Sequence, residues 1–117
     1  MTDKCEFLYR GVHAGHPAFL AASMGWAIPG NLDGGVTADE HNEGGLQQDS
    51  PFTSFTRRFD IARNNATKAG EGGIILIAPI GSPLPGDTWQ WVWSPDRFLE
   101  EEVLLRGSRT GLGIANP

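Results

Sequence analysis

Five side chains in three separated stretches of the sequence carry chemistry that packing alone does not require. They are Arg10, Ser54, Thr56, Glu100 and Glu102. An arginine presents a planar fork of donors that binds anionic groups through paired hydrogen bonds. Serine and threonine hydroxyls orient a neighbouring group, and a glutamate accepts a proton or stabilises a developing positive charge. If the three stretches meet in the folded chain, they can hold an anionic ligand and assist a bond cleavage that creates a cation.

The residue pattern places each of these stretches on or beside a strand. Alternating aromatic and β-favouring residues predict strands at 5–12, 52–56, 88–93 and 102–106. A β-branched run at 74–78, bounded by glycine and proline, predicts a strand covered on both faces. Helices are predicted at 16–24 and 59–69, closed by Gly25 and Gly70. We therefore expect a single α+β domain over residues 1–117.

The stretch from Gly30 to Pro51 is rich in Gly, Asn and Asp and has no apolar periodicity. Loops of this length are uncommon in compact domains and often lie over a ligand. We expect either a lid, in which His41 and Asn42 contact a ligand, or a disordered segment exposed to solvent.

Charge and composition exclude several classes of protein. The net charge of -5 and the pI near 5.0 argue against a broad basic surface that binds nucleic acid or anionic lipid. The single cysteine, Cys5, cannot form an internal disulfide. No apolar run approaches the roughly 20 residues that span a bilayer, and the N-terminus lacks a Sec-type signal. We expect neither a nucleic-acid-binding patch nor a membrane segment.

Taken together, three segments resemble the motifs of mono-ADP-ribosyltransferases of the arginine-serine-glutamate class, which includes many bacterial toxins. Residues Phe7–Gly11 look like the aromatic-Arg strand of this family, Phe52–Thr56 like its Ser-x-Ser/Thr strand, and Glu100–Leu105 like its Glu-x-Glu turn. The similarity extends from Phe7 to Ser108. It implies split mixed β-sheets with a few short helices around a cleft for NAD, which is the substrate.

The resemblance also implies a role for each residue. NAD carries two phosphates and a cationic nicotinamide, whose departure leaves an oxocarbenium-like ribose that needs nearby negative charge. Arg10 positions NAD, Gly11 offers backbone hydrogen bonds to the nicotinamide amide, and Ser54 orients the catalytic glutamate. Glu102, directly before the apolar Val-Leu-Leu, takes the place of that glutamate and accepts a hydrogen bond from the ribose 2′-hydroxyl. Glu100 aligns and deprotonates the nucleophile.

Two positions depart from the family pattern or remain open. Thr56 stands where the family has its second serine, and Phe55 replaces a small polar residue. Phe59 either stacks on nicotinamide or belongs to the core.

Glutamate at both positions of the Glu-x-Glu turn resembles the arginine-modifying members, since a carboxylate holds a guanidinium well. We therefore expect a protein arginine as acceptor.

Two other functions are compatible with the same residues. An NAD glycohydrolase would use Glu102 and let water attack, and a non-catalytic module would keep the sheet and bind without reacting. The resemblance to toxins implies export or injection into a target-cell cytoplasm by a route other than Sec, with a cognate immunity protein as partner. Otherwise the chain acts in the cytoplasm of its own cell.

Histidines and tryptophans elsewhere invite further hypotheses. His13 and His16 have no third ligand nearby in sequence, so we expect loop and helix-cap roles and no metal site. Trp89, Trp91 and Trp93 alternate and share one face of a strand, which either packs on the core or binds a protein.

Overall fold

The computed structural model describes residues 7–30, 34, 51–68, 70–81, 83–93 and 102–117, and of residue 93 only the backbone. Six strands and two helices lie within these ranges. The strands are β1 (Phe7–Val12), β2 (Phe52–Thr56), β3 (Ile74–Pro79), β4 (Gln90–Trp93), β5 (Glu102–Arg106) and β6 (Gly113–Ala115). The helices are α1 (Phe19–Ser23) and α2 (Phe59–Thr67).

The strands form one six-stranded sheet in the order β4-β5-β2-β1-β3-β6. The α+β class expected from the sequence is confirmed in this broad sense. The sheet is not mixed, however, because every pairing between the described strands is antiparallel. The reason lies in the connection from β2 through α2 to β3. These two strands flank β1 on opposite sides, so the crossover passes over β1 and no parallel neighbours are created.

The sheet is divided between β1 and β2. β1 and β3 align over their full length, from Phe7–Pro79 to Val12–Ile74. β2 and β5 likewise align from end to end. By contrast, β1 and β2 are paired at Tyr9 and Thr56 alone among the residues described. The sheet therefore consists of two three-stranded halves, β4-β5-β2 and β1-β3-β6, which are paired at Tyr9 and Thr56 and have an opening beside that pair.

Helix α2 lies unusually close to the sheet. Its buried residues are Ala62 and Ala66. A Cβ atom at Gly11 of β1 would stand 1.8 Å from the Ala62 carbonyl oxygen, and one at Gly73 would stand 1.9 Å from that of Ala66. Alanines on the helix and glycines beneath it therefore allow backbone to rest on backbone, which fixes α2 across the half that contains β1.

The two faces of the sheet bury separate apolar clusters. Leu8 and Val12 of β1 belong to the larger cluster, which also contains Phe55 and residues of α1. Ile75 belongs to the smaller cluster under α2. Since its neighbour Leu76 lies in the larger cluster, β3 is covered on both faces, as its β-branched sequence predicts.

Helix α2 begins at Phe59 as predicted, α1 begins later than predicted, and both helices end one or two residues before their predicted ends. Gly25 has φ 78°, and the amides of Gly25 and Trp26 donate to Ala22 O and Ala21 O, closing α1 in a Schellman motif. α1 begins at Phe19, three residues later than expected, and β6 was not predicted.

Within the ranges that the structure describes, neither helix has the length and apolar character needed to cross a bilayer.

Candidate active site at the split in the sheet

A small open pocket of about 70 Å³ lies at the opening between the two halves. Its walls come from β1, β2, the first residue of β5 and one side of α2. The lining residues are Tyr9, Arg10, Gly11, Ser54, Phe55, Thr56, Ile61, Asn65 and Glu102. The structure thus brings together five of the residues singled out in the sequence, which are 92 positions apart at the extremes: Arg10, Gly11, Ser54, Thr56 and Glu102.

Arg10 bridges the opening. Its Nη1 donates a hydrogen bond of 3.1 Å to the backbone carbonyl oxygen of Ser54 on β2. Burial lowers the pKa of Arg10 to about 10, and the nearby Glu102 carboxylate opposes part of that shift. A pKa of about 10 leaves the guanidinium protonated at neutral pH, so the pocket contains a permanent positive charge next to a carboxylate.

Glu102 reaches the pocket because of strand register. It is paired with Thr56 across β5 and β2, and Thr56 is in turn paired with Tyr9 on β1. The next residue, Val103, points into the larger core cluster. Alternation along the strand therefore turns Glu102 to the opposite face, toward α2, where it is partly buried.

Ser54 and Glu102 share this face of the sheet. Ser54 is paired with Leu104, two positions along β5 from Glu102, so the side chains of Ser54 and Glu102 are diagonal neighbours. Diagonal pairs have Cα atoms about 7–8 Å apart. In addition, the Ser54 backbone serves as the acceptor for Arg10, a role that the sequence did not suggest.

Thr56 has a structural role at the start of α2. Its Oγ1 accepts a hydrogen bond of 3.1 Å from the Arg58 amide, and Arg58 is the N-cap of the helix. Thr56 is 6% exposed. The Thr56 hydroxyl is therefore used by the turn that leads into α2.

The absence of a side chain at Gly11 is explained by α2. Any Cβ atom there would collide with the Ala62 carbonyl. The sequence interpretation attributed this glycine to close approach of a ligand, whereas the structure shows close approach of a helix. The Gly11 backbone still lines the pocket.

Helix α2 contributes residues that the sequence interpretation did not place in the site. Ile61 and Asn65 are four positions apart, one turn along the helix, and both line the pocket. Their spacing, read on the helix that follows the serine motif, could have indicated them. Phe59 lies outside the described lining, is 39% exposed, and contacts Tyr9 edge to face at 5.3 Å.

Several residues proposed from the sequence lie outside the part of the chain that the structure describes. They are Glu100, His41 and Asn42. Of the proposed lid, the structure describes Gly30, Gly34 and Pro51.

His13 and His16 lie near the end of β1 and contact each other edge to face at 5.4 Å. His16 Nδ1 accepts a hydrogen bond of 2.9 Å from the amide of Ala18. Ala18 is the N-cap residue of α1, which has no side-chain cap hydrogen bond, so His16 stabilises the turn before the helix and is not its cap. Burial lowers the pKa of His16, and the cations Arg10, His13 and Lys68 act in the same direction.

A second open cavity, of about 400 Å³, lies at the other end of β5. Arg109 forms part of its wall and stacks on Trp89, with 3.9 Å from the guanidinium carbon to the ring centroid. Trp89 and Trp91 contact each other at 5.7 Å and pack on the larger core cluster. The tryptophan face expected from alternation is therefore a packed face for these two residues.

The pocket at the split is smaller than those that enclose a whole small-molecule ligand, which commonly measure about 300–1,000 Å³. A guanidinium, hydroxyls and a carboxylate surround this small space. No protein-family model matches this chain, and no curated protein or solved structure is significantly similar to it.

Proposed function

We propose that this chain is a mono-ADP-ribosyltransferase that cleaves NAD and transfers ADP-ribose to a protein acceptor, with arginine preferred. One observation supports the proposal above all others. Arg10, Ser54 and Glu102, which belong to three different strands, line the same pocket where the sheet divides. We extend the proposal to the fold, taking the split antiparallel sheet as a small form of the ADP-ribosyltransferase architecture.

Arg10 is suited to positioning NAD. Its guanidinium remains charged at neutral pH and has five donors, of which Nη1 is directed at Ser54 O. Donors at its other nitrogens can take phosphate or ribose oxygens in a bidentate manner. Since the hydrogen bond to Ser54 restrains the side chain, little rotamer freedom is lost when the ligand binds.

Glu102 is suited to assist cleavage. The bond between ribose C1′ and the nicotinamide nitrogen breaks, and its electron pair neutralises the pyridinium, which leaves as nicotinamide. The ribose is left as an oxocarbenium ion. A carboxylate in a partly buried pocket stabilises this cation, by accepting a hydrogen bond from the 2′-hydroxyl and through its charge.

Transfer completes the reaction. A guanidinium nitrogen of the acceptor attacks C1′ and loses one proton. The resemblance assigns removal of that proton to Glu100, two positions before Glu102 in sequence. The products are nicotinamide, ADP-ribosylated protein and one proton, so no additional oxidant or reductant is needed.

Incubation with NAD labelled in its adenine tests the proposal. The wild-type chain should label protein, and Glu102→Gln should reduce nicotinamide release by about 10²–10³-fold, as removal of a single oxyanion-stabilising donor does in other enzymes. Glu71→Gln is the matched control, since Glu71 is exposed and away from the pocket lining. It should retain full activity.

The same assay separates the alternatives. An NAD glycohydrolase would need only residues that line the pocket, and it would release free ADP-ribose without labelling protein. A non-catalytic module would release no nicotinamide, and Glu102→Gln would change nothing. Either result would refute transfer as the function.

The proposed role as a toxin or effector, delivered to a target cell by a route other than Sec, has its own test. Expression of the wild-type chain in a bacterium or in a eukaryotic cell should arrest growth, and Glu102→Gln should relieve the arrest. An immunity protein, if one is encoded with the chain, should bind it and restore growth.

A further inference from the structure

We propose that the second cavity, at the end of β5 opposite Glu102, is a docking site for a protein partner that places an acidic side chain against Arg109 and an apolar side chain against Leu84. This surface lies outside the pocket at the split in the sheet, and the inference does not rest on the proposed function. It follows from the charge of the cavity, from its open shape, and from the rigidity of the two segments that form its walls.

Arg109 offers hydrogen-bond donors to the cavity. Its guanidinium stacks on the Trp89 ring at 3.9 Å, and its Nη1 donates one long hydrogen bond, of 3.4 Å, to Pro79 O. In the part of the chain that the structure describes, no carboxylate forms an ion pair with Arg109. A guanidinium has five N–H donors in a planar fork, which matches the two oxygens of a carboxylate. Most of these donors therefore remain for a ligand that enters the cavity.

Asp87 limits the charge that the cavity can accept. It also lines the cavity, and its charge opposes the fall in the pKa of Arg109 that burial causes. The cost of removing an ion from water grows with the square of its charge, whereas its attraction to the arginine grows only in proportion. One arginine that is partly neutralised by Asp87 therefore suits a carboxylate, with one charge, better than a phosphate group, which has nearly two.

The open shape of the cavity favours a protein surface over a small molecule. Sites for small molecules bury about 70–90% of the surface of the ligand, whereas seven of the ten residues that line this cavity are exposed. Leu84 is among them and is 72% exposed. An exposed leucine beside a cation matches a partner segment that carries an apolar and an acidic side chain close together.

The turn that carries Leu84 is rigid. The Asp87 amide donates a hydrogen bond of 2.9 Å to Leu84 O, and the Leu84 amide donates one of 2.7 Å to Asp87 Oδ2. Gly86 has φ 95°, the left-handed conformation that a type II turn requires at its third residue. A proline on each side of Leu84 restricts the backbone further. Little conformational freedom is therefore lost when a partner covers Leu84.

The wall that carries Arg109 is fixed to the rest of the fold. Its backbone exchanges two hydrogen bonds with Ala27, of 2.8 and 3.0 Å. A Cβ atom at Gly107 would collide with Thr88 O, so the two segments that bound the cavity lie backbone against backbone. The cation and the exposed leucine are therefore held in place before a partner binds, which lowers the entropy cost of binding.

Titration of the full chain with blocked peptides, followed by NMR, tests the proposal. One probe is a blocked tetrapeptide with one glutamate next to one leucine, and the other is its analogue with glutamine in place of glutamate. In the wild type, the glutamate peptide should shift the signals of the Trp89 indole N–H and the Arg109 side-chain N–H. It should bind about tenfold more tightly than the glutamine peptide, the ratio that one charge-assisted hydrogen bond produces.

Two variants with matched controls assign the effect to the cavity. Arg109→Gln should abolish the preference for the glutamate peptide, whereas Arg106→Gln removes the same charge from an exposed residue outside the cavity lining and should keep the preference. Leu84→Ser should weaken both peptides by about fivefold and leave their ratio unchanged. Leu20→Ser is its control, since Leu20 is 73% exposed and lies on α1. Because Leu84 is exposed, this pair decides the matter even if Arg109→Gln fails to fold.

Four results would overturn the proposal. Two of them are equal binding of both peptides by the wild type, and a folded Arg109→Gln variant that keeps the preference for glutamate. Tighter binding of a blocked phosphoserine peptide than of the glutamate peptide would assign the cavity to phosphate instead. Sodium acetate that binds as tightly as the glutamate peptide would assign it to small acids. None of these measurements involves NAD cleavage, so the proposed function is tested separately.

Discussion

Arg10 connects the two halves of the sheet at the place where they separate. Its hydrogen bond to Ser54 O spans from β1 to β2 just beyond the Tyr9–Thr56 pair. Beside it, Glu102 lowers the cost of burying the guanidinium, since its charge opposes the fall in the pKa of Arg10. One residue therefore supports the architecture of the cleft and, in the proposed function, also binds the ligand.

Replacement of Arg10 by lysine separates charge from geometry. Arg10→Lys keeps a cation but loses the planar fork, so we expect the KM for NAD to rise by about tenfold or more while the chain remains folded. Steady-state release of nicotinamide measures KM, and circular dichroism checks the fold. Arg63→Lys, on the exposed side of α2, should leave KM unchanged. An unchanged KM for Arg10→Lys would exclude bidentate binding by this residue.

Helix α2 links the packing of one half of the sheet to the composition of the pocket. The same helix turn that places Ala62 against Gly11 places Ile61 in the cleft. At its N-terminus, Arg58 and Asp60 form an exposed ion pair of 2.7 Å, which contributes little by itself because solvent screens it. The position of α2 therefore depends on the close backbone contact more than on surface charge.

Enlarging Gly11 tests this dependence. Gly11→Ala places a methyl group against the Ala62 backbone, which cannot rotate away, so we expect a loss of about 3 kcal/mol or more in the free energy of unfolding. Denaturant-induced unfolding gives the value. Gly81→Ala is the matched control, because a Cβ there has no atom within 4 Å. A small effect of Gly11→Ala would mean that α2 sits farther from the sheet in solution.

The second cavity gives a different prediction at this scale. Arg109 stacks on Trp89, and its Nη1 donates to Pro79 O at 3.4 Å, so it ties three chain segments together. Arg109→Ala should reduce stability by about 1 kcal/mol and leave NAD cleavage intact, since the cavity is at the far end of β5 from Glu102. Thermal unfolding and the nicotinamide assay measure the two effects. Loss of cleavage without loss of stability would place Arg109 in the function of the site.

At the scale of the whole molecule, the net charge of -5 disfavours a polyanionic ligand, because like charges repel. Within the pocket, the positive charge of Arg10 lies beside the carboxylate of Glu102. Arg10 also contributes to lowering the pKa of His16.

The lowered pKa of His16 predicts a pH dependence of stability. The folded state holds its proton less tightly than the unfolded state, whose histidine has a pKa of about 6.5. The stabilising contribution is therefore present above pH 6.5 and is lost as the pH falls through the lower folded-state pKa. Protonation of Nδ1 would also break the hydrogen bond from the Ala18 amide.

Comparison of the wild type with His16→Asn between pH 7 and pH 4.5 measures this contribution. Asparagine retains an acceptor for the Ala18 amide but does not titrate. The variant should lose less unfolding free energy on acidification than the wild type does. Equal slopes of the unfolding free energy against pH would show that His16 titrates normally in the folded chain.

Local chemistry in the sequence determined most of the elements and several residues of the site. Alternation and glycine stops placed β2 and β5 at their observed bounds, and located the cores of β1, β3 and α2. Arg10, Ser54 and Glu102 could be singled out because the three segments that contain them together resemble the motifs of a known transferase family. β6 was missed, since the three residues Gly113–Ala115 are too few to show a period.

Only the tertiary structure decided how these elements meet. Strand direction depends on which neighbours pair, so the antiparallel sheet and its division at Tyr9 and Thr56 were not visible in local periodicity. Gly11 is required because α2, some fifty residues away in sequence, packs directly against it. Ile61 and Asn65 line the pocket because of the way in which α2 packs across the sheet. Helices and strands can be predicted from local sequence because they depend on short-range interactions. A cleft cannot, because it depends on the long-range packing that places distant segments side by side.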